Sequence, residues 1–106
     1  MFERILKDPK ALARHQNGPM AEERRRYLAH CCAKEQMTWE TLRGLANYLL
    51  VIAEALHLDK RPGELISPTE VESEVHRWVT RPRPQQINKQ KVMFRNRAIR
   101  WLTFLG

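Results

Sequence analysis

The sequence predicts an all-α protein in which four helices form one orthogonal bundle behind a short N-terminal arm. Apolar residues recur at spacings of three and four along several segments, as they do on the buried face of an amphipathic helix. No segment alternates apolar and polar residues with a period of two, so no strand is predicted. Hydroxyl residues and prolines beside the apolar segments then indicate where the helices begin.

The length and composition fit one folded domain. The chain has 106 residues, of which 42% are apolar and 29% are charged. It has no apolar run as long as a membrane span, and residues 1–16 lack the unbroken apolar stretch of a secretory signal. Cys31 and Cys32 are adjacent, which disfavours a disulfide between them and indicates reduced thiols. We therefore expect a cytoplasmic protein with no membrane partner.

Residues 1–18 are predicted as the arm and residues 19–106 as the domain. Single helical turns are expected near Phe2 and after Pro9. Helix A is predicted from Pro19, at its first position, to about Gln36. The run of three arginines at 24–26 is interpreted as a solvated face. Met20, Tyr27, Leu28 and Cys31 are predicted to lie together on one apolar face of this helix.

Helix B is predicted from the N-cap Thr38 to Leu56, and Gly44 within it suggests a close helix–helix contact. Helix C begins at Ser67-Pro68-Thr69-Glu70, a capping box, and a connector from Thr80 to Asn88 leads to helix D, which ends near Leu105. The predicted core residues of these helices are Leu42, Leu45, Leu49, Ile52, Leu56, Val71, Val75, Trp78, Val79, Phe94, Ala98, Trp101, Leu102 and Leu105.

Charge is distributed unevenly along the chain. Residues 1–74 hold 11 basic and 12 acidic side chains, whereas residues 75–106 hold eight basic side chains and no acidic one. The whole net charge of +7 therefore lies in the last third. This favours a surface that binds a polyanion, most often nucleic acid.

The residues of catalysis or metal binding do not form a recognisable pattern. The four histidines share no ligand spacing with Cys31 and Cys32, and the four glycines are isolated, so no metal, cofactor or phosphate loop is expected. Duplex DNA is the better supported partner, because a major groove admits a helix that offers cations and amides. The predicted contacts are Thr38, Thr41 and Arg43 in helix B, and Asn88, Lys89, Gln90, Lys91, Arg95, Asn96, Arg97 and Arg100 in helix D.

Two helices resemble a known family. Thr41-Leu42, followed by Leu45, Leu49, Ile52 and Leu56, resembles the T-L-x-x-(Y)-x-x-x-L…L helix in the N-terminal domain of phage-integrase-type tyrosine recombinases. The segment from Ala98 to Leu105 resembles the closing helix of that domain, and the P-T-E-V start of helix C also fits. The resemblance covers residues 19–106, with Leu45 where the family often has an aromatic residue.

The resemblance implies a SAM-like core-binding domain, one half of a C-shaped clamp that holds duplex DNA at the recombination core site. It places the second and fourth helices on the major groove and implies other recombinase protomers as partners, in a tetramer on DNA. The catalytic residues would lie in a domain beyond Gly106, so this chain is not expected to be an enzyme by itself. The implied location is the bacterial cytoplasm or nucleoid.

Two alternatives remain open. One is a free-standing helical DNA-binding regulator, and the other is a helical adaptor that binds an acidic protein or membrane surface through its basic face. Binding to duplex DNA but not to acidic peptides or lipids separates the first two readings from the adaptor.

Overall fold

The computed structural model describes residues 2–61, 66–78 and 87–105. No strand occurs in these ranges, which confirms the all-α class. The helices are α1 (Phe2–Ile5), α2 (Pro9–Asn17), α3 (Ala21–Lys34), α4 (Trp39–Ala55), α5 (Pro68–Trp78) and α6 (Ile87–Leu105), with a 3₁₀ turn at Leu58–Lys60. Helices A to D correspond to α3 to α6. Val79 and residues 80–86 of the predicted connector lie outside the described ranges, and its last two residues belong to α6.

Two of the predicted helix starts are confirmed by their capping bonds. The backbone N–H of Thr41 donates to Thr38 Oγ1 over 3.2 Å, and that of Glu70 donates to Ser67 Oγ over 3.2 Å. The Glu70 carboxylate instead binds Arg61, whose Nη1 and Nη2 donate over 2.7 and 3.0 Å. The N3 glutamate of the predicted box therefore ties the chain after α4 to the start of α5.

The start of α3 differs from the prediction. The helix begins at Ala21, and its N-cap residue Met20 has a φ of 57°, in the left-handed region. Pro19 thus precedes the helix instead of occupying its first position. Its carbonyl oxygen accepts a hydrogen bond of 2.8 Å from Arg24 Nε, so a buried side chain from inside α3 holds this turn.

The core is arranged around α4, which contacts α1, α3 and α6. All five predicted apolar residues of α4 are buried, as are Val71 and Val75 of α5. In α6, Phe94, Ala98 and Trp101 are buried, whereas Leu102 and Leu105 are half-buried against the core. The side chain of Trp78 lies outside the described part of the structure. Cys31 is buried and Cys32 half-buried, both as free thiols.

The N-terminal segment is not the separate arm that we predicted. Phe2, Ile5 and Leu6 are all buried in the same core cluster as α3 to α6. The backbone of this segment is also fixed, because Arg43 Nε of α4 donates to the Ile5 carbonyl oxygen over 2.8 Å. The side chains of Phe2, Ile5 and Leu6 cover α4, which explains why residues 2–18 pack as part of the domain.

Arg24 is the second correction, because it is fully buried and not part of a solvated face. Its Nη2 donates to the His15 carbonyl oxygen over 2.7 Å, and its Nη1 lies 3.4 Å from His15 Nδ1. The guanidinium also lies over the Phe2 ring, 5.3 Å from the centroid. Arg25 and Arg26 are exposed as predicted. One arginine of the run therefore anchors α1 and α2 to α3.

Gly44 is the third correction. It is exposed, and a Cβ built on it would have no neighbour within 4 Å. No helix approaches α4 at this residue, so the predicted close contact is wrong. Gly18, in the turn after α2, is the glycine that is tightly packed, since a Cβ there would lie 2.6 Å from Leu50 Cδ1.

Candidate nucleic-acid interface

The basic residues of α6 lie on a helix whose inner side packs in the core. Phe94 and Trp101 are fully buried, and this orients the remaining side chains toward solvent or toward the neighbouring helices. Asn96 and Arg100 are exposed, and Lys91, Arg95 and Arg97 are half-buried. The backbone of Asn88, Lys89 and Gln90 lies in the first turns of α6, while their side chains lie outside the described residues.

Arg95 is held by a carboxylate of the preceding helix. Its Nε and Nη2 donate to the two oxygens of Glu72 in α5, the latter over 3.0 Å. This bidentate pair lowers the pKa of the Glu72 carboxyl, through the hydrogen bonds first and the charge second, and raises the pKa of Arg95. Because both partners are ionised, the outward field of Arg95 is largely cancelled.

Arg97 faces α4. Its guanidinium lies over the ring of Tyr48, 5.6 Å from the ring centroid. The Arg97 Nε atom is buried, and no described residue offers it a hydrogen-bond acceptor. Arg97 therefore contributes a charge that is partly desolvated and whose hydrogen-bonding capacity is incompletely used.

Arg100 is the most accessible of the α6 arginines, with 64% of its side chain exposed. Its Nη2 lies 3.4 Å from Glu35 Oε1, at the end of α3. A single long contact between exposed groups contributes little stability, so this side chain exchanges readily with solvent or a ligand.

The predicted residues of α4 divide into two groups. Thr38 Oγ1 donates to Thr41 Oγ1 over 2.9 Å, so the two exposed hydroxyls bond to each other while capping the helix. The adjacent Met37 lines one cavity together with Asn96 and Arg100, so the start of α4 lies beside the middle of α6. Arg43 is also exposed, and its Nε donates to the Ile5 carbonyl oxygen of α1 over 2.8 Å.

The predicted set missed the acids that face these cations. Glu72 and Glu35 are 23 and 65 residues away in sequence from the arginines that they bind. The local charge pattern of residues 75–106 contains no trace of either. A glutamate on the polar face of helix C was the one available signal for the Glu72 pair.

Comparisons with family models, with curated proteins and with solved structures gave no match. No helix in the described ranges is long and apolar enough to cross a membrane. Among the same residues, no group of three or more His, Cys, Asp and Glu side chains is placed to hold a metal ion. The fold and the charges on α6 are thus the basis for a functional assignment.

Proposed function

We propose that this chain binds duplex DNA along the outer side of α6 and acts as the core-binding domain of a site-specific tyrosine recombinase. The observation that carries the proposal is the charge distribution, since residues 75–106 hold eight basic side chains and no acid. The buried positions of Phe94 and Trp101 leave Asn96 and Arg100 on the outer side of the helix. A polyanion suits this surface best.

The dimensions and chemistry of α6 favour DNA. Its 19 residues span about 28 Å, and a helix of this kind fits the major groove. The exposed amide of Asn96 has the donor and acceptor that adenine recognition uses, and the neighbouring Arg100 suits phosphate or guanine. The exposed Thr38 and Thr41 lie at the N-terminus of α4, where backbone N–H groups attract phosphate.

The family resemblance gives this binding a role. The domain would clamp the core site while other protomers bind neighbouring half-sites, and strand cleavage would belong to a catalytic domain. Incubation of this chain with a suicide half-site substrate is expected to trap no covalent adduct, because a tyrosine nucleophile needs an activating constellation. An adduct through Tyr27 or Tyr48 would contradict this division of labour.

Salt dependence tests the DNA surface. If about four phosphates are neutralised, log K against log[salt] has a slope near −3.6. We expect Lys91→Ala or Arg100→Ala to make this slope shallower by up to about 1. Arg25→Ala is the control, since Arg25 is exposed on α3 and binds Glu22. A slope near zero, or binding lost only with Arg25, would contradict the proposal.

Removal of the facing carboxylates gives a sharper test. Glu72→Gln and Glu35→Gln free Arg95 and Arg100 and remove a negative charge from beside α6, so each should raise DNA affinity by about fivefold. Glu22→Gln is the matched control, because it frees Arg25 and changes the net charge equally. Equal gains in all three variants would show a general charge effect and no binding surface on α6.

A comparison of ligands distinguishes the class of partner. The recombinase and regulator readings both require duplex DNA, whereas an adaptor would bind an acidic peptide or anionic vesicles with equal or higher affinity. We expect tighter binding to duplex DNA than to poly-glutamate at the same salt concentration. A preference for poly-glutamate would favour the adaptor.

A further inference from the structure

A cavity of about 190 Å³ lies where α3, α4 and α6 meet. Met37, Leu45 and Met93 give it an apolar wall. Tyr27 of α3 lines it as well, and burial raises the pKa of this phenol to about 12, so the side chain is neutral at pH 7. The volume is below the 300–1,000 Å³ typical of sites for drug-sized ligands. A ligand of this cavity is therefore smaller than a drug-sized molecule.

The other side of the cavity is polar and positively charged. Asn96, Arg97 and Arg100 of α6 line it. Among the residues that the structure describes, the buried Arg97 Nε has no acceptor, although nearly all buried donors in proteins are hydrogen-bonded. Arg100 Nη2 meets the Glu35 carboxylate only over a long contact of 3.4 Å. Two guanidinium groups thus meet at a small cavity and are incompletely neutralised.

We propose that this cavity binds a small organic monoanion, a carboxylate with a compact apolar body. Arg97 and Arg100 bind the carboxylate, which matches the planar donor array of a guanidinium better than a spherical anion does. The apolar body lies against Met37, Leu45 and Met93. The inference does not rest on the proposed DNA binding, but the cavity shares Asn96, Arg97 and Arg100 with the predicted DNA contacts, so a bound anion would compete with phosphate for Arg100.

Benzoate is the probe that tests the proposal. It is titrated into the full chain without DNA, and binding is measured by the changes in amide chemical shifts in two-dimensional NMR spectra. Acetate carries the charge without the ring, and benzyl alcohol carries the ring without the charge. We expect saturable benzoate binding at least tenfold tighter than that of either control, with the largest shifts at residues 93–100 and near Met37. Equal affinity for acetate and benzoate, or an absence of saturation, would overturn the proposal.

Variants locate the site. Arg100→Gln should weaken benzoate binding about tenfold and should leave the fold intact, because this side chain is exposed. Met93→Ala should weaken benzoate binding while acetate binding stays the same. Arg25→Gln, on the exposed side of α3, is the control and should bind as the parent does. Unchanged binding in both Arg100→Gln and Met93→Ala would place the anion elsewhere and overturn the assignment.

The titration separates this inference from the proposed function. Binding of benzoate without binding of duplex DNA would support the cavity site and contradict the recombinase proposal. Binding of DNA with the expected salt slope, without a preference for benzoate over acetate and benzyl alcohol, would support the DNA surface and contradict the cavity site.

Discussion

His15 and Arg24 form a buried pair whose protonation state is fixed by geometry. Both side chains are almost fully buried. A guanidinium only donates hydrogen bonds, so the contact from Arg24 Nη1 requires His15 Nδ1 to be an acceptor. His15 Nε2 then carries the proton and donates to Asn47 Oδ1 over 3.1 Å. A second proton on the imidazole would place two donors, and two cations, against each other.

The pair predicts loss of stability in mild acid. Burial lowers the pKa of His15, and the Arg24 and Arg14 charges lower it further, while Asn47 and Glu54 oppose the change. Because the folded pKa is below the unfolded value near 6.5, the unfolded chain binds a proton first as the pH falls. The free energy of unfolding should therefore be highest above pH 6.5 and decrease between pH 6.5 and 5.

Urea denaturation at pH 7.5 and pH 5 measures this effect. His15→Gln removes the titrating group and should flatten the pH dependence over that interval, even though its stability at pH 7.5 is lower. An equally steep dependence in His15→Gln would assign the acid sensitivity to another group.

Replacement of glycine by alanine should change the free energy of unfolding in opposite directions at Gly44 and Gly18. Gly44→Ala should raise the free energy of unfolding by about 1 kcal/mol, because alanine is the better helix former and its Cβ meets no atom. Gly18→Ala should lower it by about 1–3 kcal/mol, because its Cβ crowds Leu50, the Arg14 carbonyl oxygen and Arg24. Urea denaturation of both variants checks the pair. A loss of stability in Gly44→Ala would mean that a helix does approach α4 there.

The orientation of α6 depends on aromatic contacts at its end and on an ion pair in its middle. Phe104 is partly exposed, and its ring lies 5.1 Å from that of Tyr27 and 4.9 Å from that of His30. The end of α6 thus packs on α3, while the Glu72–Arg95 pair links its middle to α5. These contacts make the orientation of α6 a property of three helices together.

Trp101→Ala tests how far the fold depends on α6. The side chain is fully buried, so its removal should cost about 3–5 kcal/mol. Leu102→Ala is the comparison, and its half-buried side chain should cost less than about 2 kcal/mol. Thermal and urea unfolding measure both. A Trp101→Ala variant that melts within a few degrees of the parent would show that α6 is placed wrongly.

At the scale of the whole molecule, the N-terminal segment decides the extent of the folding unit. Deletion of residues 1–7 removes Phe2, Ile5 and Leu6 from the core. Each buried apolar side chain contributes about 1.5–3 kcal/mol, and total stability in a domain of this size is about 5–15 kcal/mol. The deletion should therefore remove most of the stability.

Circular dichroism during thermal unfolding measures the result. A deletion of residues 1–7 that melts at the same temperature as the intact chain would restore the interpretation of this segment as a separate arm. A triple replacement by serine at the same three positions controls for the change in length and should lower the melting temperature similarly.

The candidate surface was predictable in part. The basic residues of α6 follow from charge counting along the chain, and the helical period indicated that Asn96 and Arg100 lie opposite the apolar stripe. Their ion pairs did not follow, because Glu72 and Glu35 approach α6 only through the packing of α5 and α3. The cavity beside Arg97 likewise forms only because α6 packs against α3 and α4, which are distant from it in sequence.

The local features follow from residue spacing and capping residues: the all-α class, the helix starts at Thr38 and Ser67, and the buried stripe of α4. These depend on spacing and capping within a few residues, which a single segment encodes. Packing between segments accounts for the rest: it brings residues 2–18 into the core, supplies the backbone acceptors of the buried Arg24 and leaves Gly44 exposed. The burial of those residues depends on which segments pack together. The hydrophobic effect is proportional to the apolar area removed from water, and that area is defined by the whole folded chain and not by a local sequence pattern.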